Sequence, residues 1–180
     1  MLFISLKWRL LASVAPNTVT VATLGPTPIF DPMRFLHVEG FISGYAGNGL
    51  GRMRPGNTTV DTGNNCSSNL QELGANSVVT SVSVPGWPVA SAANLIARHW
   101  TADIYNLSGS QKRMVGTSSN ASVTATTAPS QAIIGGIWVN TAGPIQIMDL
   151  TSYSAPNGTT TNVGIGFTAG TEFEVWGKDS

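Results

Sequence analysis

The side chains able to do chemistry in this chain are few and lie far apart. Two histidines, His37 and His99, a single cysteine, Cys66, and nine carboxylates are what 180 residues offer. His37 sits in Met33-Arg34-Phe35-Leu36-His37-Val38-Glu39-Gly40 and His99 in Arg98-His99-Trp100-Thr101-Ala102-Asp103-Ile104, each alternating with apolar positions in the period-2 rhythm of a strand. A histidine placed in that way is packed or hydrogen-bonded more often than it acts as a base, because general-base work also needs a nucleophile and an orienting acid within reach. No G-x-S-x-G elbow, H-E-x-x-H pair or phosphate-cradling glycine loop supplies those companions. The expectation is a protein with no catalytic residue.

Binding chemistry is represented by one polar loop and by the tryptophans. Asp61, Asn64 and Asn65 carry oxygens that suit calcium, yet Asp, Asn and Gly clustered together are first of all turn chemistry, so neither a metal nor a cofactor is expected. Cys66 follows them in Asp61-Thr62-Gly63-Asn64-Asn65-Cys66. Alone in the chain it allows no intrachain disulfide and no Cys-rich metal framework, and with no basic neighbour in sequence it reads as an unreactive thiol in a loop. Trp8, Trp100, Trp138 and Trp176 fall on expected strands, where core or interface packing is their usual work. Trp87 differs, because Pro85-Gly86-Trp87-Pro88 is a rigid turn. It is either an anchor for a partner's pocket or a lid over one end of the fold. The candidate interface is therefore Trp87 with Asn57, Asn64 and Asn65. Asn106, Asn120 and Asn157 stand in nominal glycosylation sequons, to which no role is assigned.

These residues are set among many short strands divided by turns. The start, Met1 to Ala15, is expected to form a first strand, since Lys7 and Arg9 interrupt the apolar run that Ser13-Val14-Ala15 would otherwise give a leader-like ending. Strands follow over Thr18 to Val21, ending near Gly25-Pro26; Met33 to Tyr45, apolar on both faces and so placed centrally; a more polar one from Arg52, Met53 and Arg54; Val78 to Val84; and Arg98 to Leu107. Between them run the loop Pro55 to Asn69 and an Ala-rich stretch, Ala90 to Ala97, that suits a helical turn. Lys112 to Thr117, Val123 to Thr127, Ala132 to Asn140, Pro144 to Leu150 and a closing strand with Phe173 and Val175 after the Ala169-Gly170 turn complete the series. This spacing predicts a single all-β domain over residues 1 to 180, an antiparallel β-sandwich, jelly-roll-like, with Val38, Ile104, Ile147, Phe173 and Val175 in the shared core.

Composition narrows the partners. Only 10% of residues are charged and the formal net charge is zero, so no basic patch is signalled for a phosphate backbone and nucleic acid is not an expected partner. No apolar run approaches the roughly 18 residues of a membrane-spanning helix, so no membrane partner is expected. A weakly charged surface rich in hydroxyls and amides gives little colloidal repulsion, which points to assembly.

The order of several short segments resembles a known family. Trp8-Arg9-Leu10-Leu11, Met33 to Gly40 and Gly49-Leu50-Gly51-Arg52-Met53-Arg54 come first. Ile104-Tyr105-Asn106 with Lys112-Arg113, then Gly136-Ile137-Trp138-Val139-Asn140-Thr141, Ile145-Gln146-Ile147 and Phe167 to Gly177 follow in sequence. Together they resemble the small jelly-roll virion structural proteins of tailed bacteriophages, of the capsid decoration or tail-associated type; Trp176, where such relatives tend to have Tyr, is a departure. The resemblance implies a virion location, no enzymatic activity, no cofactor, and as partners other virion subunits and sister copies in a homo-oligomer. The reading that follows is a capsid decoration or cement protein that binds the shell lattice and stabilises it. The alternative is a tail or fibre subunit that binds host surface glycans, while a glycan-active enzyme would need two carboxylates facing one cleft, which nine scattered acids do not suggest. Contact through the Pro55 to Asn69 loop or the Pro85 to Pro88 turn is expected, surviving high salt because few charges take part.

Overall fold

The structure, a computed structural model, describes residues 7–47, 49–73, 77–89, 97–120, 131–154 and 165–179. Strands β1 (Arg9–Val14), β2 (Thr23–Leu24), β3 (Phe35–Ile42), β4 (Gly49–Gly56), β5 (Cys66–Leu73) and β6 (Ser77–Val84) are followed by β7 (Trp87–Pro88), β8 (Arg98–Tyr105), β9 (Lys112–Asn120), β10 (Gln131–Trp138), β11 (Ile147–Ser154) and β12 (Glu172–Lys178). They form an eight-stranded sheet, β1-β12-β3-β8-β9-β10-β5-β6, and a four-stranded sheet, β2-β11-β4-β7. Every pairing is antiparallel. The chain is an all-β sandwich, and no helix occurs among the described residues.

Alternation is what makes one face of the large sheet the core face. In β3 the side chains of Leu36, Val38 and Ile42 are buried while Phe35, His37, Glu39 and Phe41 look outward, and in β8 Trp100, Ala102 and Ile104 are buried while His99 and Asp103 are exposed. Val38, Ile104, Ile147, Phe173 and Val175 all lie in the core, as their period-2 spacing predicts. The last strand follows the turn at Gly170, whose φ of +92° is the left-handed conformation that the Ala169-Gly170 turn requires. β12 then inserts between β1 and β3, so the first and last strands described share a ladder.

Two tryptophans close on glycines. Trp100 lies directly opposite Gly40 across the β3–β8 ladder, and a Cβ at Gly40 would meet its ring at 2.6 Å. Trp87 belongs to the small sheet, through its pairing with Met53, and its ring lies on Gly136 of β10, where a Cβ would come within 2.5 Å. Trp87 is thus a direct bridge between the sheets.

Several elements depart from the sequence reading. Arg52 to Arg54 do not begin a polar surface strand: β4 is buried along nearly its whole length. Arg54 and Asp149 sit opposite each other in the β4–β11 register, and both Arg54 Nε (2.8 Å) and Arg54 Nη2 donate to the Asp149 carboxylate. Arg52 is fully buried with a single hydrogen bond, Nη1 to the Gly86 carbonyl at 2.8 Å, while its Nε and Nη2 have no partner. Burial pulls its guanidinium down to about 10, against the opposing pull of Tyr153 and Cys66. The expected loop Pro55 to Asn69 is shorter, because β4 runs to Gly56 and β5 starts at Cys66. The Thr18 to Val21 strand is reduced to a bridge between Val21 and Phe167, the paired residues being Thr23 and Leu24. The strand expected over Val123 to Thr127 lies outside the described residues, as does the Ala90 to Ala97 turn apart from Ala97.

Three outcomes follow for stability. Gly40→Ala forces Trp100 off its seat and is expected to cost about 2 kcal/mol or more, read as a lower denaturant midpoint with unchanged slope. A chain ended at Gly170 loses β12 and both ladders it makes, and calorimetry is expected to show no cooperative unfolding. Arg52→Met should be neutral or stabilising, since a buried cation with unmet donors is replaced by an apolar side chain of similar length.

Candidate binding face on the large sheet

The outward side chains of four neighbouring strands stand in register and form rows. At one end of the sheet the row is Lys178, Phe35, Tyr105, Arg113; the next is Trp176, His37, Asp103, Val115. Then come Glu174, Glu39, Thr101, Thr117, and at the far end Glu172, Phe41, His99, Ser119. The small sheet covers the other face, leaving these rows outward.

The first end is aromatic and cationic. Trp8, Phe35, Asp103, Tyr105, Arg113, Val115 and Lys178 line a groove of about 400 Å³. Lys178 Nζ stands 4.6 Å over the Trp8 ring and 5.7 Å over Phe35, and the Arg34 guanidinium lies 5.7 Å from Phe35 and 5.8 Å from Tyr105. Arg34 Nη2 also donates to the Tyr105 hydroxyl at 3.3 Å. The aromatic faces in this groove are already occupied by the chain's own cations. Trp8 itself precedes β1 rather than lying on a strand, and is 40% exposed.

The opposite end is acidic. Glu39, Glu172 and Glu174 stand with Ser13, Phe41 and His99 around a second depression of about 370 Å³. Glu39 and Glu174 are direct cross-strand neighbours, an arrangement of like charges that costs the sheet some stability. Among the described residues no cation comes within ion-pair distance of these three acids.

His37 has an acid beside it that the sequence did not reveal. Its Nδ1 lies 2.7 Å from Asp103 Oδ1, and its ring contacts Trp8 at 5.7 Å. Asp103 is 73% exposed, so the pair belongs to the solvent-facing surface. The hydrogen bond to Asp103 is the one the His37 side chain makes among the described residues, and no hydroxyl or thiol joins it. His99 lies two rows away beside Phe41 and shares nothing with His37.

The residues chosen from sequence as an interface are dispersed. Trp87 is completely buried and serves as the lid and inter-sheet bridge, so it is no anchor for a partner. The correction has a simple cause: a turn rigid enough to present an indole outward is equally able to fold it inward, and Gly136 leaves room for it there. Asn57 is half-buried, its Nδ2 donating to the Pro144 carbonyl (2.8 Å) and to Gln146 Oε1 (3.1 Å). Asn64 and Asn65 are exposed, and Asn65 Nδ2 donates to both oxygens of Asp61. Asp61 also accepts from the Gly63 N–H and from Trp138 Nε1, both at 2.8 Å. Its carboxylate is engaged in holding the turn. Asn106 is buried, with its amide donating to the Met33 and Ile145 carbonyls, each at 3.0 Å. Trp100 and Trp138 lie in the core, while Trp176 stands half-buried on the outward face.

Cys66 is not a loop residue but the buried first residue of β5. Burial, helped by Asp61, pushes its thiol up to about 12, with Arg52 pulling the other way.

No protein-family profile and no curated protein matches the chain. Among solved structures it is similar to the CBM2 module of the evolved Dit of Lactobacillus casei BL23 phage J-1, with 10% identity over 92% of this chain and 77% of that one. The TM-score is 0.24, and a likeness of that degree carries no argument about fold or function.

The Cys66 environment gives a direct expectation. With its thiol buried and its ionisation pushed up, Cys66 stays protonated in the folded protein at pH 8, so alkylation should wait for unfolding and proceed at once in denaturant. The linkage sign agrees: the folded state keeps the proton longer than the unfolded one, whose thiol titrates near 9, so this group's contribution to stability is lost as pH rises from about 9 toward about 12. Rapid native-state alkylation at pH 8 would contradict the buried placement.

Proposed function

We propose that this chain is a structural protein of a tailed-phage virion that acts by adhesion, as a capsid decoration or cement protein, and has no catalytic activity. The observation that carries the reading is the open outer face of the eight-stranded sheet. Val115 and Ile133 stand 64% and 46% exposed on it, Phe41 39%, with aromatic and charged side chains between them. Exposed apolar side chains interleaved with aromatic and polar ones are the make-up of a protein–protein contact. The ordered segments that resemble small virion proteins support the location. Docking occurs through the sandwich itself rather than through Trp87 or the 57–65 loop.

Trp8, Phe35 and Tyr105 around one groove favour a second reading, a tail or fibre subunit that binds host surface glycans. It ranks below the first because a sugar ring would have to displace Lys178 and Arg34 from the ring faces they cover.

A particle reconstruction in which the chain lies on the shell with the β3–β8–β9 face buried in a contact, against a shell subunit or a second copy of the chain, is the expected result. Ile133→Asp should lower its retention on particles at least about tenfold, since a carboxylate would be desolvated in the contact. Asn64→Ala should leave retention unchanged. Density at a fibre tip together with wild-type retention of Ile133→Asp would favour the glycan reading. His37→Ala and His99→Ala should alter stability or assembly alone; turnover of a polysaccharide or peptide that disappears with either change would overturn the non-catalytic assignment.

A further inference from the structure

The outward face of the large sheet is complementary to itself. Across its centre runs the line Val175, Val38, Ala102, Gly116, residues paired with one another in consecutive ladders. On β12 the outward residues on either side of that line are Glu174 against Trp176 and Glu172 against Lys178. On β3 they are His37 against Glu39 and Phe35 against Phe41, and on β8 Tyr105 against His99. A two-fold axis lying over this line, perpendicular to the strands, would set each strand antiparallel on its own copy. Lys178 would then face Glu172, His37 would face Glu39, and Phe35 would face Phe41. An axis parallel to the strands would instead set the cationic row on the cationic row and the acids on the acids, which electrostatics disfavours.

From this placement we infer that the outer face of the eight-stranded sheet is a homodimer interface in which a second copy of the chain docks antiparallel, cationic end on acidic end. The inference rests on the reading of this face as an adhesive surface and names its partner. Three observations favour a copy of the chain over a different protein. The acids Glu39, Glu172 and Glu174 have no cation within ion-pair distance among the described residues, and Glu39 faces Glu174 at a cost that an incoming Lys178 or His37 would relieve. Arg113 and Lys178 make no ion pair among the described residues either, Lys178 resting only on the Trp8 and Phe35 rings, so the opposite end, where Asp103 is engaged by His37, carries matching cations. The size also fits. Eight strands about 4.8 Å apart and about seven residue steps long present a face of roughly 800 Å², the area each partner contributes to a stable contact. Sheets stacked face to face keep their strand directions within about 30°, so the central rows stay opposed.

Sedimentation equilibrium of the purified full chain tests this. A dimer is expected at about 0.05 M salt that loosens at about 0.5 M, because the pairs that orient it are solvent-accessible. Glu172→Lys alone and Lys178→Glu alone each place like charges together twice per dimer, and each should raise the dissociation constant at least about tenfold. The double exchange, Glu172→Lys with Lys178→Glu, recreates both pairs with reversed sign and should return it to within about threefold of the parent. Unchanged thermal unfolding of the variants establishes that the fold is intact, and Phe41→Asp supplies an independent loss at the aromatic contact. A monomer at every concentration, or a double exchange as weak as its single components, overturns the inference. If that monomer is still retained on particles, the adhesive reading stands without this interface. A dimer with the expected exchange pattern but never found on a virion would instead sustain the interface and remove the virion assignment.

Discussion

The seating of Trp87 on Gly136 is the contact on which the sandwich depends. It is made by a residue of the four-stranded sheet on the backbone of the eight-stranded one, so it sets how close the layers lie. Trp100 does the corresponding job within the large sheet by folding over Gly40. A tryptophan is the largest apolar load a small core carries, and packing at crystal-like density leaves no room for a Cβ under either ring. Both glycines are therefore steric requirements rather than flexible points, and the core side chains Val38, Ile104, Phe173 and Val175 fill the layer whose thickness the rings define.

The interior holds more charge than so weakly charged a chain would be expected to commit. Arg52, Arg98 and Lys112 are buried, three of nine cations. Lys112 is satisfied by the Ser110 and Asn140 carbonyls, both at 2.9 Å, with the Trp138 ring 5.5 Å away. Arg54 is matched by Asp149 in its own ladder. These pairings withdraw cations from the surface and leave Lys178, Arg113 and Arg34 at one end of the outward face, where they dominate.

Much of the fold was legible because period-2 alternation survives in any strand with one buried face. Leu36, Val38 and Ile42 in β3 and Phe173 and Val175 in β12 could be placed by counting alone. What counting missed lies where both faces are buried or where a turn has two outcomes. β4 reads as polar because of Arg52 and Arg54, yet it is a central strand of the small sheet whose charges are absorbed by Gly86 and Asp149. Cys66 reads as a loop residue because it follows Asn64 and Asn65, but the turn ends one residue earlier, where Asp61 has collected its donors. The Asp103 partner of His37 was out of reach, since it depends on which strand lies beside β3. One signal was present and passed over: Glu172, Glu174, Trp176 and Lys178 share a face, so the closing strand runs from acid to base within one short segment.

That polarity changes what a net charge of zero means. A count of charges treats the surface as uniform and predicts contacts indifferent to salt. The register shows instead that the acids of β3 and β12 gather at one end of a face while Lys178 and Arg113 stand at the other, about four to six residue steps or roughly 13 to 20 Å away. At physiological ionic strength this separation exceeds the screening length of about 8 Å, so the two ends do not neutralise each other across the sheet. The acidic end acts on its surroundings as a small region of one sign, and the opposite end, where Asp103 also stands, as one of cationic excess. A partner's matching charges, brought within a few ångströms, interact far more strongly than the chain's own distant ones, and the antiparallel copy is an arrangement that satisfies both ends at once.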